Sequence, residues 1–543
     1  MGADPIRARA VLASAAIALV AAAAAAQGRA LTDAELRGRK LYLEGEAASG
    51  RKIVALLGEA KIEVPARSLP CAGCHAFDGR GKPEGGVVPS DIRWEALTKP
   101  YGARHTSGRE HGPYDERALR RAITQGRDPA GNALSNVMPQ YQLTQDEVED
   151  LAAFLKRIGS LRDPGLGDER VRIAAVVPHG ARGDARAAVL RGLVDDLAAE
   201  GGVHGRKVEL VLLRDEARAP DADPGATPGA NSVATAGAAS LGALRAALAA
   251  DDVFAFVASD LDPGDATALT AIDATGTPVI GALSEAPGAD AATSRYVFEL
   301  HAGLRVQAAA LAAHLLATAP GARVGIVDGG DERSASLARE LDARWTGAGR
   351  ASPSRASLAP GADAAELARA LARDGVEAVL LLAAPAEQAG FLRSATELAF
   401  APRVLVPGPL AARGLRQLAG GFPGTIEVSL PRAPDAPDAP GAKTFVEFAA
   451  KHGLALDAHV PDQVDAWCAA HVLVEGLRRA GRELGREKLV QALEGLYKFD
   501  AGLGPPLTFG PGRRVGARGA HVLRLDRATG APAETSAWIP VDG

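Results

Sequence analysis

The pattern of apolar and polar residues divides the chain into two regions with different predicted secondary structure. Residues 27–160 are predicted to be helical with long irregular stretches, and Thr–Glu capping boxes open one predicted helix at Thr32 and another at Thr144. In the second helix, apolar residues recur every three or four positions from Val148 to Ile158. From residue 171 onwards, short β-rich apolar runs alternate with amphipathic helices. This alternation predicts a parallel sheet covered by helices on both faces.

The predicted strands and helices of the second region alternate along the chain. Strands are predicted at Val171–Val177, Val208–Leu213, Val253–Val257, Pro278–Ile280, Val324–Val327, Ala378–Leu382 and Val404–Val406. Helices are predicted at Ala185–Glu200, Leu241–Ala249, Leu304–Leu316, Ser334–Trp345 and Ala364–Arg373. A helical block at Val464–Ala480 and Arg486–Leu496 precedes a short β-like tail, and proline-rich loops are predicted at 217–238 and 431–441.

The first 26 residues are typical of an export signal. Arg7 and Arg9 precede an apolar stretch, Val11–Val20, and small residues up to Ala26 suit cleavage. An uncleaved anchor helix is the alternative, but a run composed mostly of alanine is weak as a membrane span. We therefore expect a periplasmic protein with no membrane span after signal cleavage.

Composition narrows the classes of protein that the chain can represent. Of its 543 residues, 47% are hydrophobic and 23% are charged, which favours folded domains over disorder. The net charge of −5 lacks the basic excess that nucleic-acid binding requires, so no nucleic-acid partner is expected. Three cysteines are too few for a disulfide-stabilised scaffold. One of them, Cys468, lies in an apolar helical pattern and is predicted to be a buried free thiol.

Cys71, Cys74 and His75 form the C-x-x-C-H sequence of covalent haem attachment. In such a motif both thiols form thioethers with the haem and the histidine binds iron. A zinc site would need two further Cys or His ligands at paired spacing, and the sequence has none. A thioredoxin-like redox pair would lie in a βαβ context, whereas this motif lies between capped helices. The sequence therefore predicts one covalently attached haem c.

Met138 is the predicted second ligand of the haem iron. It is the methionine that remains once the signal has been removed, and it lies in a loop next to Pro139. Packing in the core is the alternative role, but His/Met ligation raises the reduction potential and suits electron transfer. His105 and His111 are competing candidates, although their polar, glycine-rich surroundings favour solvated loop histidines.

Residues 31–160 resemble a class I cytochrome c, an all-α fold. The resemblance rests on Gly38 and Tyr42 in the first helix, Cys71–His75, the loop Asp78–Gly81, Met138 and Pro139, and Leu151 and Phe154 in the last helix. It implies that the first and last helices cross and that the haem edge exchanges electrons with a partner protein. The segment Gly45–Pro70 is longer than in many members, and we expect it to cover the haem or to form a docking surface.

Residues 171–543, after a linker at 161–170, resemble type 1 periplasmic solute-binding proteins, in particular the branched-chain amino acid receptors of ABC importers. The resemblance rests on Val171–Val177, Gly202–Leu210, Gly276–Gly281 and Val472–Gly481. It implies a two-lobed α/β fold that closes on a small molecule in the cleft, beyond the carboxyl ends of the parallel strands.

Three residues are the candidates for contacting a solute. Ser259, Asp260 and Ser284 follow predicted strands where, by the resemblance, related receptors hold the carboxylate and ammonium of an amino acid. The alternative is that these short polar residues only complete turns. The chain departs from the family pattern at 260–263 and at 331–334, so the loss of amino acid specificity, or of solute binding altogether, stays open.

These observations predict a multidomain electron carrier with no catalytic activity of its own, because a six-coordinate iron has no position for a substrate. The solute-binding-like domain would bind a small molecule or dock a redox partner such as a periplasmic dehydrogenase or oxidase. One alternative is the receptor of an ABC importer that delivers an amino acid or related solute to a permease, with an accessory haem. Another is a haem enzyme or gas sensor with an open iron site.

Overall fold

The structure, a computed structural model, describes residues 31–81, 83, 86–105, 107–214, 241–250, 252–261, 266–283, 294–411, 415–432, 441–456 and 459–541. The chain divides into two units, Met1–Asp163 and Pro164–Gly543. The predicted export signal, the predicted loop at 217–238, residues 433–440 of the predicted loop at 431–441, and Ser284 lie outside the described residues. Among the residues that are described, no helix combines the length and the apolar character needed to cross a membrane.

The described part of the first unit consists of short helices and two small antiparallel sheets. The helices are α1 (Asp33–Glu44), α2 (Cys71–His75), α3 (Trp94–Leu97), α4 (Glu116–Gln125) and α5 (Gln145–Ile158), and a 3₁₀ turn spans Ala66–Ser68. The strands are β1 (Val54–Leu57), β2 (Ile62–Pro65), β3 (Ala103–Arg104), β4 (Glu110–His111) and β5 (Gln140–Tyr141). One sheet has the order β2-β1-β5, and β3 and β4 form a separate hairpin.

The two long helices of this unit begin at the predicted capping boxes and cross one another. Both boxes are formed, at Thr32 and at Thr144, so both helix starts are confirmed. At the crossing, a Cβ on Gly38 would lie 2.0 Å from the backbone oxygen of Asp150, so only glycine permits this approach. The crossing of the first and last helices that the resemblance implies is therefore confirmed.

The described part of the second unit alternates strands with helices. Its strands are β6 (Arg170–Val177), β7 (Lys207–Arg214), β8 (Ala255–Val257), β9 (Val279–Ile280), β10 (Val297–His301), β11 (Val324–Asp328), β12 (Ser354–Ser357), β13 (Ala378–Leu381), β14 (Arg403–Val406), β15 (Thr425–Leu430), β16 (Val515–Ala517), β17 (Gly519–Leu525), β18 (Pro532–Thr535) and β19 (Ile539–Pro540). Its helices are α6 (Ala181–Ala199), α7 (Leu241–Ala250), α8 (Ala266–Thr275), α9 (Leu304–Thr318), α10 (Glu332–Gly347), α11 (Ala364–Arg373), α12 (Pro385–Glu397), α13 (Leu415–Ala419), α14 (Ala442–Lys451), α15 (Val460–Ala480) and α16 (Arg486–Glu494). A 3₁₀ turn spans Gly408–Leu410.

These strands form two separate sheets, one for each of two α/β lobes. The first sheet has the order β16-β10-β9-β8-β6-β7 and is parallel throughout. The second has the order β12-β11-β13-β14-β15-β17-β18, with β19 also beside β17; it is parallel as far as β15 and antiparallel from there. Among the described strands, three successive pairs belong to different sheets: β10 and β11, β15 and β16, and β16 and β17. The chain passes between the lobes at these three points. The two-lobed α/β fold is confirmed.

Candidate functional site

The haem-attachment motif forms its own short helix, α2, directly after Pro70. Cys71 and Cys74, three positions apart, lie on the same side of one helical turn. Both are free thiols, with Cys71 half-buried and Cys74 exposed. Burial raises the pKa of the Cys71 thiol to about 12. The pair is therefore positioned to bond a single flat group that rests against this turn.

His75 presents one defined ring nitrogen for metal binding. It is 9% exposed, and its Nδ1 donates a hydrogen bond to the carbonyl oxygen of Ser90 over 2.9 Å. Because a carbonyl only accepts, Nδ1 carries the proton and Nε2 keeps its lone pair. Burial lowers the pKa of His75, although the Ser90 carbonyl opposes this change. The imidazole is thus held in the neutral form that binds metals.

Tyr42 in α1 fixes the backbone that follows the motif. Ala76 has a φ of +59°, which is costly for a residue other than glycine. The Tyr42 hydroxyl donates to the Ala76 carbonyl oxygen over 2.6 Å, and Ala76 is fully enclosed. The ring of Tyr42 also packs on Phe154, with the centroids 5.5 Å apart. The helix crossing and the attachment segment are therefore one packed assembly.

Met138 lies in a turn that leads into β5. Its backbone N–H donates to Ser135 over 3.0 Å, and its side chain is half-buried. Three residues later, the Tyr141 hydroxyl donates to the Leu69 carbonyl oxygen over 2.6 Å and also contacts the Cys71 thiol. Since three extended residues span at most about 10 Å, Met138 is tethered near the attachment segment. Ligation by Met138 stays a prediction.

The competing histidines are linked to His75 through Ser90, the residue that His75 contacts with its Nδ1. His105 Nδ1 is 3.4 Å from Ser90 Oγ, and its Nε2 is 3.0 Å from His111 Nε2. Ser90 is the residue that occupies the Nδ1 edge of His75. The pair thus adjoins the side of the ring that turns away from a bound metal, which favours Met138 over either histidine as the second axial ligand.

The predicted solute residues that the structure describes already have partners within the protein. Ser259 is fully buried; its hydroxyl accepts the Val176 N–H over 3.0 Å and donates to the Val257 carbonyl oxygen over 3.2 Å. These contacts join β8 to β6. The Asp260 carboxylate forms an ion pair with Arg186. Solute binding by either residue stays a prediction.

Arg186 is the centre of a charged cluster that sequence reasoning did not find. Its side chain is 1% exposed, and besides Asp260 it contacts Asp462 over 3.2 Å. Arg182 adds a second contact to the same Asp462 oxygen, at 2.5 Å. A buried guanidinium requires such partners, and in return the Asp260 charge is largely neutralised. No motif marks Arg186 in the sequence, since its partners come from distant segments.

Comparison with known proteins identifies both units. The family model described as periplasmic binding protein matches residues 178–531. The chain belongs to the periplasmic binding protein family. N-terminal to this match in the sequence, the family model described as cytochrome c matches residues 67–159. The first unit therefore carries a cytochrome c domain, which implies covalently bound haem. Cys71, Cys74 and the free Nε2 of His75 fit that group.

Solved structures show the fold of the binding domain. A branched-chain amino acid ABC transporter protein from Thermus thermophilus with bound valine is 18% identical, with a TM-score of 0.51, and the match covers 69% of this chain and 98% of that one. A periplasmic binding protein type 1 from Bordetella pertussis Tohama I is 18% identical, with a TM-score of 0.50 and coverage of 69% and 100%. A possible leucine/isoleucine/valine-binding protein from Rhodopirellula baltica SH 1 has the same identity and TM-score, with coverage of 68% and 97%. No curated protein matches the chain.

Proposed function

We propose that this chain is a periplasmic electron-transfer protein with one haem c, attached to Cys71 and Cys74 and ligated by His75 and Met138. The hydrogen bond from His75 Nδ1 to the Ser90 carbonyl oxygen carries the proposal, because it leaves the other ring nitrogen free beside two free thiols. When bound, a c-type haem supplies reversible one-electron chemistry. We expect the redox partner to be a periplasmic dehydrogenase or oxidase.

The residues around the motif support a carrier rather than an enzyme. Burial keeps His75 neutral, and the hydrogen bond to the Ser90 carbonyl oxygen fixes the orientation of its ring, as a metal ligand requires. Met138 is tethered close to the attachment segment through β5 and Tyr141. If Met138 binds the iron together with His75, no coordination position would remain for a substrate, which disfavours the haem enzyme or gas sensor.

For the binding domain we propose that the cleft holds a small solute other than an α-amino acid, or that the domain docks the redox partner. Asp260, the candidate partner for an ammonium, is neutralised by buried Arg186. An ammonium would have to compete for Asp260 with the buried Arg186 guanidinium, whose other carboxylate partner among the described residues is Asp462. The alternative, an ABC-importer receptor that hands a solute to a permease, is supported by the family match.

Visible absorption spectroscopy tests the haem assignment. The chain, expressed in a host that matures c-type cytochromes, should carry haem that survives denaturation, and Cys71→Ala with Cys74→Ala should abolish this attachment. Ferrous wild-type protein should not bind carbon monoxide at once, whereas Met138→Ala should. Val137→Ala, in the same loop with its side chain 46% exposed, is the matched control and should behave as wild type. Immediate carbon monoxide binding by the wild type would contradict Met138 ligation.

A thermal-shift screen of the same holoprotein separates the roles of the binding domain. A ligand that binds only the folded state raises the melting temperature, by an amount set by its concentration relative to its Kd. Stabilisation by valine or related amino acids would favour the importer receptor. It would contradict the proposal that the ion pair with Arg186 keeps Asp260 from binding an ammonium. Stabilisation by amides, small alcohols or acids would support a non-amino-acid solute, and no stabilisation by any of them would favour docking.

A further inference from the structure

Two histidines of the cytochrome c domain, outside the haem-attachment motif, turn their ring nitrogens towards one another. The Nε2 atoms of His105 and His111 are 3.0 Å apart, with ring centroids 5.1 Å apart and planes inclined by 31°. The β3–β4 hairpin holds both backbones: His111 is opposite Ala103, and the His105 N–H donates to the Arg109 carbonyl oxygen over 2.9 Å. Backbone hydrogen bonds of the hairpin thus hold the two histidines close to each other.

The outer ring nitrogens of this pair are oriented by oxygen atoms. His111 Nδ1 lies 2.7 Å from the Gly112 carbonyl oxygen, to which it can only donate, so His111 Nε2 carries a lone pair. His105 Nε2–H therefore donates to His111 Nε2 over 3.0 Å. Ser90 Oγ, 3.4 Å from His105 Nδ1, can donate or accept, so the His105 proton can move to Nδ1 and expose the Nε2 lone pair when an ion replaces this hydrogen bond. Oxygen partners at the outer nitrogens of two imidazoles are the usual support of histidine metal ligands.

The groups around this pair leave it open to an ion. Arg109, the nearest cation, is paired with the fully buried Asp128 over 2.8 Å. Burial, followed by Arg109 and His111, lowers the pKa of His105, and Asp128 opposes this change. Tyr114 packs edge-on against His111, with centroids 5.0 Å apart, and closes one side of the pair. Both histidines keep some exposure to solvent, so an ion can reach them.

We propose that His105 and His111 bind a divalent transition-metal ion of the imidazole-preferring class, such as Zn²⁺ or Cu²⁺, through their two Nε2 atoms. In a tetrahedral zinc site with Zn–N bonds of about 2.05 Å, two ligand nitrogens are about 3.3 Å apart. The observed 3.0 Å separation therefore needs only a small opening of the pair. Among the described residues no cluster of three or more potential ligands occurs, so the protein supplies two ligands and water completes the coordination.

Calorimetric titration of the ferric holoprotein with ZnCl₂ tests this site. Wild type should bind Zn²⁺, and His105→Gln and His111→Gln should each weaken binding by well over tenfold, because each removes a ligand and the loss of an outer partner alone costs about tenfold. Ser90→Ala removes the hydroxyl at His105 Nδ1 but keeps the carbonyl that His75 uses, and it should weaken binding less. His204→Gln, in the binding domain, is the matched control and should leave this affinity unchanged. An unchanged Soret band in each variant shows that the haem domain is intact.

Two results would overturn the proposal: absence of Zn²⁺ binding by wild type, or equal binding by wild type and both histidine variants. A second measurement does not depend on how the variants fold. Electron paramagnetic resonance of Cu²⁺ added to wild-type protein should show hyperfine splitting from two imidazole nitrogens, because Cu²⁺ binds nitrogen ligands most strongly in the divalent series. A Cu²⁺ signal with oxygen ligands alone would equally overturn the site.

Discussion

Acidification is expected to destabilise the binding domain through His301, at the end of β10. The side chain is 15% exposed, and its Nε2 lies 4.0 Å from Asp465 Oδ1. Burial lowers the pKa of His301 from 6.5 to about 4; Asp465 opposes this change and Arg432 adds to it. The folded protein therefore protonates this histidine at a lower pH than the unfolded chain does.

The sign and size of the effect follow from this difference. Between pH 6.5 and about pH 4 the unfolded chain binds the proton and the folded protein does not, so the free energy of unfolding falls as the pH falls. The stability that depends on neutral His301 is fully present above this pH interval and fully lost below it. One pKa unit is worth about 1.4 kcal/mol, so the difference between a pKa of 6.5 in the unfolded chain and about 4 in the folded protein lowers the free energy of unfolding by about 3 kcal/mol.

The substitution His301→Gln isolates this contribution, since glutamine is polar but does not titrate. Urea unfolding followed by tryptophan fluorescence, repeated at several pH values, should show wild type losing about 3 kcal/mol more than the variant across the interval. Asp465→Asn removes the carboxylate that favours the charged imidazole, and it should enlarge the loss. Equal pH dependence in wild type and His301→Gln would refute the reasoning.

Three further substitutions test other contacts. Gly38→Ala places a Cβ 2.0 Å from a backbone oxygen of α5 and should cost about 1–3 kcal/mol in thermal unfolding of the cytochrome c domain. Burial raises the pKa of Asp128, but hydrogen bonds from Arg109 and Asn132 outweigh burial and hold this pKa below its usual range. The cytochrome c domain should therefore lose stability as the pH falls below about 4, and Asp128→Asn should lose less than wild type over the same range. Melting temperatures measured at decreasing pH check this difference. Glu487→Ala leaves Arg295 without the carboxylate it contacts over 2.6 Å, and urea unfolding should show a loss of about 3–5 kcal/mol.

Local signals in the sequence were sufficient for many elements. The capping boxes located the starts of α1 and α5, and α11 was predicted over the residues it occupies. Strands β1 and β2, in the segment Gly45–Pro70, were not predicted, because each has only four residues and β1 pairs with the distant β5. Such pairing depends on residues far apart in the chain, which periodicity within a window does not report.

The candidate site shows the same division between local and distant signals. Cys71, Cys74 and His75 lie within five consecutive residues, so the sequence alone predicts them as a site. The acceptor for His75 Nδ1 is a backbone carbonyl, which any residue type could supply, so the sequence does not mark it. The partner of Asp260 could not be predicted for a different reason. Arg186 is 74 residues away in the sequence and meets it only because β6, β8 and α6 pack together.

The remaining cysteine has a consequence for how the cofactor is acquired. Cys468 is 1% exposed, its thiol contacts the Leu503 carbonyl oxygen over 3.0 Å, and burial raises its pKa to about 12. In an oxidising compartment, thiol exchange proceeds through the thiolate of an accessible cysteine. Once the C-terminal lobes have folded, Cys468 can no longer trap Cys71 or Cys74 in a mixed disulfide. With Cys468 enclosed, the two thiols at least partly open to covalent attachment are Cys71 and Cys74 of the attachment motif.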